Sequence, residues 1–322
     1  MKKAFLILFV ALITSCGDDG DVVSTLSGKR YIDSIFTDVN TELNIKYGTN
    51  KSLSGIDRNL FLDVYWPEGD TLIERPTLVL AHGGAFVGGN KSDIKDLCIT
   101  YASMGYTVAS IGYNLLDDRF ISDSVRFSEG VVIALGDMKG AIRFLRDDAI
   151  NGDNDFGIDS NMMFAGGISA GAILANHVGM LDANDPSIPD YLQNHIDNNG
   201  GFEGDTNDLS VSSEVSAVIS FSGSLLRSEW IDSSDPPIFM VHEELDPVVP
   251  CDYSASVLFP FPILAYGSCA LQDQIVESGI SNQFVFIEGS DEHVGYFTGD
   301  DEEKASELIA LSASFLEAII NN

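Results

Sequence analysis

The stretch Asn161-Met-Met-Phe-Ala-Gly-Gly-Ile-Ser-Ala-Gly-Ala-Ile-Leu-Ala175 decides how the chain is read. Residues 162–165 are apolar and predict a short buried strand. Gly166 and Gly167 are expected to break it, and a helix-forming run starts at Ser169. Gly167-Ile168-Ser169-Ala170-Gly171 fits G-x-S-x-G, a turn on which a serine is held in a strained conformation with its hydroxyl exposed. Glycines two residues to either side remove Cβ atoms that would collide with strand and helix. Placed at a helix N-terminus, the Ser169 oxygen meets free N–H groups and a dipole that favour developing negative charge. Small-residue turns are common, so the motif needs partners elsewhere in the chain.

Continuous apolar runs lie on both sides of this turn. Asn59–Trp66 alternates and ends at Pro67, whereas Pro76–Ala81 and Tyr106–Tyr113 read as strands buried on both faces. Val215–Phe221, Pro237–His242 and Gln283–Ile287 are further strands. Helical spacing marks Ser92–Met104, Glu129–Ala149, Leu271–Gly279 and Glu302–Asn322. Tyr31–Tyr47 is read as an edge hairpin, and Asn151–Ser160 as an acidic loop leading into the strand at 162. Strands alternating with helices give the α/β class, with a mostly parallel central sheet covered by helices on both faces. In such sheets ligands sit beyond the C-terminal ends of the strands. His82, Ser169, Asp246 and His293 each follow directly on a predicted strand.

The 322 residues, 45% of them hydrophobic, suit one large domain. Residues 1–15 are set apart as a signal peptide: Lys2 and Lys3 precede the apolar run Ala4–Ile13, which is too short to span a bilayer. Ile13-Thr-Ser-Cys16 resembles a bacterial lipobox, which predicts lipidation of Cys16, anchoring to a membrane and residence in the cell envelope. The alternative is an ordinary secretory signal with a chance cysteine. Residues 16–30 read as an acidic tether. The acidic Gly17–Asp21 run resembles the surface-export signal of some outer-membrane lipoproteins. The domain proper is then 31–322, with the polar, acidic segment 182–213 as an insertion or lid over the site, and Gly201-Phe-Glu-Gly204 as a tight turn facing it.

The formal charge is −32. Cleavage before Cys16 would remove Lys2 and Lys3, leaving 15 basic against 49 acidic residues and a charge of −34. This excludes a basic nucleic-acid footprint and disfavours polyanionic substrates; it reads as a solvated surface. Cys98 sits in an apolar helical run and is expected to be a buried thiol. Cys251 and Cys269, eighteen positions apart in a loop-rich region, form a plausible disulfide for an exported protein, worth about 3 kcal/mol by loop closure. No His/Cys cluster has zinc-ligand spacing.

A serine hydroxyl needs a base and a carboxylate to orient that base. Of the five histidines, His177 lies eight residues along the helix after Ser169 and is expected to point down its body. His195 lies in the acidic insertion, and His242 ends a strand only four residues before Asp246. His82, at the start of a glycine-rich loop, reads as a brace. His293 alone follows Asp246, in a loop able to reach Ser169. The order Ser169, Asp246, His293 is that of the α/β-hydrolases.

Three motifs carry a resemblance covering Leu60 to the C-terminus: His82-Gly-Gly-Ala-Phe86, Gly167-Ile-Ser-Ala-Gly171, and His242-Glu-Glu-Leu-Asp246 with Val249-Pro250. The chain resembles an α/β-hydrolase of the carboxylesterase/lipase group with an HGG oxyanion loop. The resemblance implies Ser169 as nucleophile, His293 as base, Asp246 as its partner, and the N–H groups of Gly84, Ala85 and Ala170 as oxyanion donors. It implies hydrolysis of an ester with no metal or organic cofactor. The sequence departs from the pattern at Glu243, where such proteins usually have glycine, and at Asp291 and Glu292, which replace small residues before the base. Extra carboxylates near an imidazole are expected to shift the active range upward in pH. Two other readings stand beside this one: a serine peptidase on the same fold, and a catalytically idle binding module.

Overall fold

The computed structural model describes residues 28–116, 121–299 and 301–322. The predicted signal peptide, Cys16 and the predicted tether as far as residue 27 lie outside the described residues. Arg30 already packs with the domain: its guanidinium pairs with Asp70 and lies over the rings of Tyr31 and Phe36.

Eight strands form the central sheet: β1 Val39–Lys51, β2 Asp57–Pro67, β3 Arg75–Ala81, β4 Thr107–Ile111, β5 Ile158–Ile168, β6 Ala217–Phe221, β8 Ile238–Glu243 and β11 Asn282–Ile287. Between them in sequence fall β7 Ser224–Leu225, β9 Tyr253–Ala255 and β10 Leu264–Gly267, which make a separate three-stranded sheet in the order β7-β10-β9. The helices are α1 Lys95–Ser103, α2 Ser124–Asn151, α3 Ala170–Met180, α4 Asp190–Asn198, α5 Ser268–Ser278, α6 Gly295–Thr298 and α7 Glu302–Ile320. The large sheet runs β1-β2-β4-β3-β5-β6-β8-β11. β2 is antiparallel to both neighbours, and every other pairing is parallel.

Because side chains alternate across a strand, a run apolar at every position feeds two cores at once. In β3, Val79 and Ala81 pack toward α2 and α3, while Leu78 and Leu80 pack with α1 and α7. In β8, Ile238 and Met240 take the first side, and Phe239 and Val241 the second. Cys98 is a free, buried thiol in the second core.

Several local expectations need correction. Tyr31–Tyr47 does not fold on itself; β1 pairs with β2, and two register irregularities along β1 blur its alternation. Gly166 and Gly167 do not break the central strand, since β5 starts at Ile158 and runs through them to Ile168. The loop before it is correspondingly short, because α2 extends to Asn151. The turn at Gly201–Gly204 faces α2, not the site. A Cβ on Gly204 would lie 2.4 Å from the Cα of Gly136, so neither backbone admits a larger residue there. Arg143 holds Glu203 through its carbonyl (2.6 Å) and its carboxylate (2.7 Å), and Arg146 donates to the carbonyls of Ser160, Ser212 and Glu214. Segment 201–214 is thus a strap pinned along α2.

Asp137 bolts the same region together. It is fully buried and accepts from Asn50 Nδ2 (2.7 Å), Thr206 Oγ1 (2.8 Å), Asn114 N (2.8 Å) and Asn114 Nδ2 (2.9 Å). Burial pushes its pKa up in spite of the four donors. It joins the end of β1, the exit of β4, α2 and the strap.

Two similar aspartate turns, Asp182-Ala-Asn-Asp185 and Asp232-Ser-Ser-Asp235, lie within electrostatic reach of each other. In each, the last carboxylate accepts the N–H of the first residue, at 2.8 and 2.9 Å. Burial pushes Asp235 up to about 7, with repulsion from Asp232, Asp185 and Asp182 adding to it; burial likewise pushes Asp185 to about 6. Both exceed the unfolded value of about 3.9. The native state therefore binds more protons, and these groups lower stability as pH rises from about 4 to about 7. Melting temperature should fall across that window, and Asp235→Asn should flatten the fall and raise the melting temperature at pH 8. An identical pH profile for Asp235→Asn, measured by thermal denaturation, would contradict this account.

Candidate active site

Ser169 follows β5 and caps α3 with φ 55° and ψ −119°. Its N–H donates to the Phe221 carbonyl (2.8 Å), and its own carbonyl accepts from Ile173 N (2.9 Å). The turn closes only because its flanks are bare. A Cβ on Gly171 would lie 2.0 Å from the Ala81 carbonyl oxygen, and one on Gly167 would lie 2.3 Å from the Gly171 carbonyl carbon. β3, β5 and α3 therefore converge at backbone contact distance beneath the serine.

The exits of β8 and β11 bring the other two residues to it. His293 Nε2 is 2.8 Å from Ser169 Oγ, and His293 Nδ1 is 2.6 Å from Asp246 Oδ2. The carboxylate fixes the tautomer: Nδ1–H donates to Asp246, and the serine hydroxyl donates to Nε2. Asp246 Oδ1 also accepts the N–H groups of Val248 (2.8 Å) and Val249 (2.9 Å). Burial pushes the Asp246 carboxyl up, but the imidazoles of His242 and His293 and the backbone donors outweigh it and hold it at about 2. His242 acts on Asp246 through space. Its Nε2 lies 3.6 Å from the carboxylate and donates to the Val249 carbonyl at 2.7 Å. The loops that carry Asp246 and His293 are joined by backbone bonds, Glu244 N to Ile287 O (3.0 Å) and Leu245 N to Ser290 O (2.8 Å). Asp291 and Glu292 are exposed and make no hydrogen bond to the His293 ring.

The loop after β3 takes three consecutive positive φ angles, at Gly84 (117°), Ala85 (53°) and Phe86 (64°). It is braced by His82, whose Nδ1–H donates to Gly83 O (2.7 Å), whose ring stacks on Tyr113, and whose carbonyl accepts the Tyr113 hydroxyl (2.8 Å). Among the described residues, the N–H groups of Gly84, Ala85 and Ala170 have no protein acceptor. Ala85 and Ala170 line a cavity beside Ser169.

That cavity has a volume of about 110 Å³. Phe86, Phe127, Val132, Leu135, Ile173 and Leu226 wall it, and among the described residues no Asp, Glu, Lys or Arg lines it. His177 is part of its wall and does not merely point along α3. Both its nitrogens are occupied, by Ile173 O (2.7 Å) and Leu226 N (3.4 Å), and burial pushes its pKa down to about 4, so it is neutral. His195 instead meets the Val125 carbonyl (3.1 Å). From 182–213, only Leu192 reaches the cavity. Most of the cover comes from Val248–Ala265, including Leu258, Phe259 and Ile263 in the loop that joins β9 to β10 of the small sheet. Cys251 and Cys269 are joined across the base of this cap, with Cα atoms 5.0 Å apart. The sequence signal for the cap is the apolar run Val257–Leu264 between two cysteines. Among the described residues, no group of three His, Cys, Asp or Glu side chains is placed to hold a metal ion.

Gly171, beneath the serine, and Gly201, in the strap along α2, differ in what they tolerate. Gly171→Ala should destabilise by about 1–3 kcal/mol or more, because the clash is with β3 backbone. Gly201→Ala, whose Cβ would meet nothing within 4 Å, should cost about 1 kcal/mol through its positive φ alone. Urea unfolding of the two variants checks this, and equal costs would refute the packing argument at the turn.

Solved structures of a thermophilic esterase from the planctomycete Thermogutta terrifontis share the fold. The propionate-bound form is 20% identical with a TM-score of 0.64, and the form phosphoramylated by tabun is 21% identical with a TM-score of 0.64. The butyrate-bound form is 19% identical with a TM-score of 0.63; each match covers 87% of this chain and 94% of the other. No curated protein matches the chain. The BD-FAE profile matches residues 62–225, half of the sequence, from β2 through the loop after β3 and the Ser169 turn to β7. On that match the chain belongs to the BD-FAE family of α/β-hydrolase-type esterases.

Proposed function

We propose that the protein is a serine hydrolase that cleaves carboxylic esters through an acyl-enzyme. The observation that carries this reading is the continuous chain Ser169 Oγ–His293–Asp246, at 2.8 and 2.6 Å, beside donors that have no other acceptor. Ser169 attacks the ester carbonyl as His293 Nε2 takes its proton. Asp246, held anionic at about 2, stabilises the imidazolium. The N–H groups of Gly84, Ala85 and Ala170 receive the oxyanion. Collapse expels the alcohol, which takes the proton from His293. Water then attacks the acyl-serine, with His293 again as base, and releases the acid and Ser169.

The acyl group lies in the uncharged cavity. Its 110 Å³ corresponds to roughly four waters at about 30 Å³ each, which suits a short, apolar acyl chain. The propionate and butyrate of the Thermogutta terrifontis structures are of that size class, and their organophosphate adducts suit an activated serine.

A fluorophosphonate probe should label Ser169 alone and stop hydrolysis of p-nitrophenyl esters. Ser169→Ala and His293→Ala should each lower kcat about 10⁶-fold, and Asp246→Asn about 10⁴-fold. His195→Ala should change little. Turnover of aminoacyl-p-nitroanilides in place of esters would move the reading to a peptidase, and full ester turnover by Ser169→Ala would end it.

We also propose that Cys16 carries lipid and tethers the domain to the bacterial envelope at the outer membrane, through the acidic linker. Support comes from the Ile13–Cys16 tetrapeptide and the Gly17–Asp21 run. Mass spectrometry of the mature protein should find a lipid-modified N-terminal Cys16; an unmodified N-terminus at any other residue would refute the anchor.

A further inference from the structure

Glu243 is a buried carboxylate that the steps above leave unused. It ends β8, is 1% exposed, and no Lys or Arg hydrogen-bonds to it among the described residues. Its partners are all neutral donors. Oε1 accepts the N–H of Gly295 at 2.8 Å, two residues beyond His293. Oε2 accepts the Ser222 hydroxyl at 2.9 Å, and Tyr296 OH lies 2.8 Å from that same hydroxyl. Ser222 and Val294 both hold positive φ, 55° and 50°, conformations rare for their residue types and kept only where surroundings enforce them.

These contacts reach all three members of the proposed catalytic set. Phe221, next to Ser222, accepts the Ser169 N–H through its carbonyl. Gly295 and Val294 continue the chain from His293. Asp246 follows three residues after Glu243, and its N–H points to the Glu243 carbonyl at 3.5 Å. The carboxylate therefore spans the end of β6, the acid turn and the base loop from beneath. A glycine here would leave the Ser222 hydroxyl and the Gly295 N–H buried without this acceptor.

We propose that Glu243 is a positioning residue for the ester hydrolysis put forward above, on which this inference rests. It clamps the base loop to the neighbour of the serine turn, so that His293 Nε2 stays within hydrogen-bond reach of Ser169 Oγ. Misplacing reacting groups by about 1 Å costs on the order of 10²-fold in rate.

The test compares Glu243→Ala, Glu243→Gln and Ser222→Ala with the wild type in p-nitrophenyl butyrate kinetics, melting temperature and the downfield proton resonance of the His293–Asp246 hydrogen bond. Glu243→Ala should lower kcat about 10- to 100-fold, with KM within about twofold, and should lose or broaden the resonance well below its melting temperature. Glu243→Gln keeps an acceptor for Gly295 N–H and should recover most of kcat. Ser222→Ala removes one arm and should fall between them, which decides the matter if Glu243→Ala does not fold. Folded Glu243→Ala or Ser222→Ala with wild-type kcat and an unchanged resonance would overturn the proposal, whatever the melting temperature. If the wild type neither hydrolyses the ester nor reacts with the fluorophosphonate at Ser169, the functional reading fails. The resonance then decides the clamp: loss in Glu243→Ala supports it, and retention overturns it.

Discussion

The site depends on one backbone constraint: Ser169 is held at φ 55° between the end of β5 and the start of α3. A non-glycine residue adopts that conformation only where its surroundings over-determine it. Here they do so by contact and by hydrogen bonding. Gly167 and Gly171 let α3 descend onto the Ala81 carbonyl, and the Phe221 carbonyl takes the Ser169 N–H. Three adjacent parallel strands, β3, β5 and β6, thus fix a single hydroxyl. The loops leaving β3, β8 and β11 then need only short reach to meet it, which is why the chemistry gathers at one edge of the sheet.

A chain of charge −32 also uses carboxylates internally. Some pair with bases in the usual way, as Asp63 does with Lys91 and Asp70 with Arg75. Asp137, Glu243 and Asp246 instead sit among N–H and O–H donors. A carboxylate can accept several hydrogen bonds at once, so a single side chain ties together segments remote in sequence. Asp137 joins four such segments around α2, and Glu243 joins three beneath Ser169, His293 and Asp246. The surplus acidic residues are largely solvated, where mutual repulsion is screened.

Much of this was legible because parallel strands buried on both faces write themselves as apolar runs. Leu78–Ala81, Val218–Phe221 and Phe239–Val241 mark their own strands, and the residues just after them are the ones that converge. What resisted reading depends on tertiary contact. Val257–Leu264 contains Pro260 and Pro262 and alternates poorly, so its fold into a cap shows only against β7. The acidic segment 182–213 has the composition of a lid, yet Arg143 and Arg146 draw its second half onto α2. Glu243 reads only as a carboxylate where similar proteins have glycine, and its burial follows from the loop after β11 folding over it. His177 reads as helix body, but Leu258, Phe259 and Ile263 of the cap face the same cavity and make that flank of α3 its wall.

The sheet separates two cores; among the described residues, the core residues that line the cavity belong to the side of α2, α3 and the cap, and none to the core under α1 and α7. This division partitions the sequence by evolutionary task. Substitutions in the α1–α7 layer, at positions such as Leu97, Tyr101 or Leu316, act on the folded fraction of the protein while leaving the shape of the cavity alone. Those on the opposite layer reshape what the cavity admits. A lineage can therefore gain stability on the α1–α7 face and spend it on new cavity shapes on the other, provided it keeps Phe221, Val294 and Tyr296, which belong to the α1–α7 core and flank the Glu243 contacts.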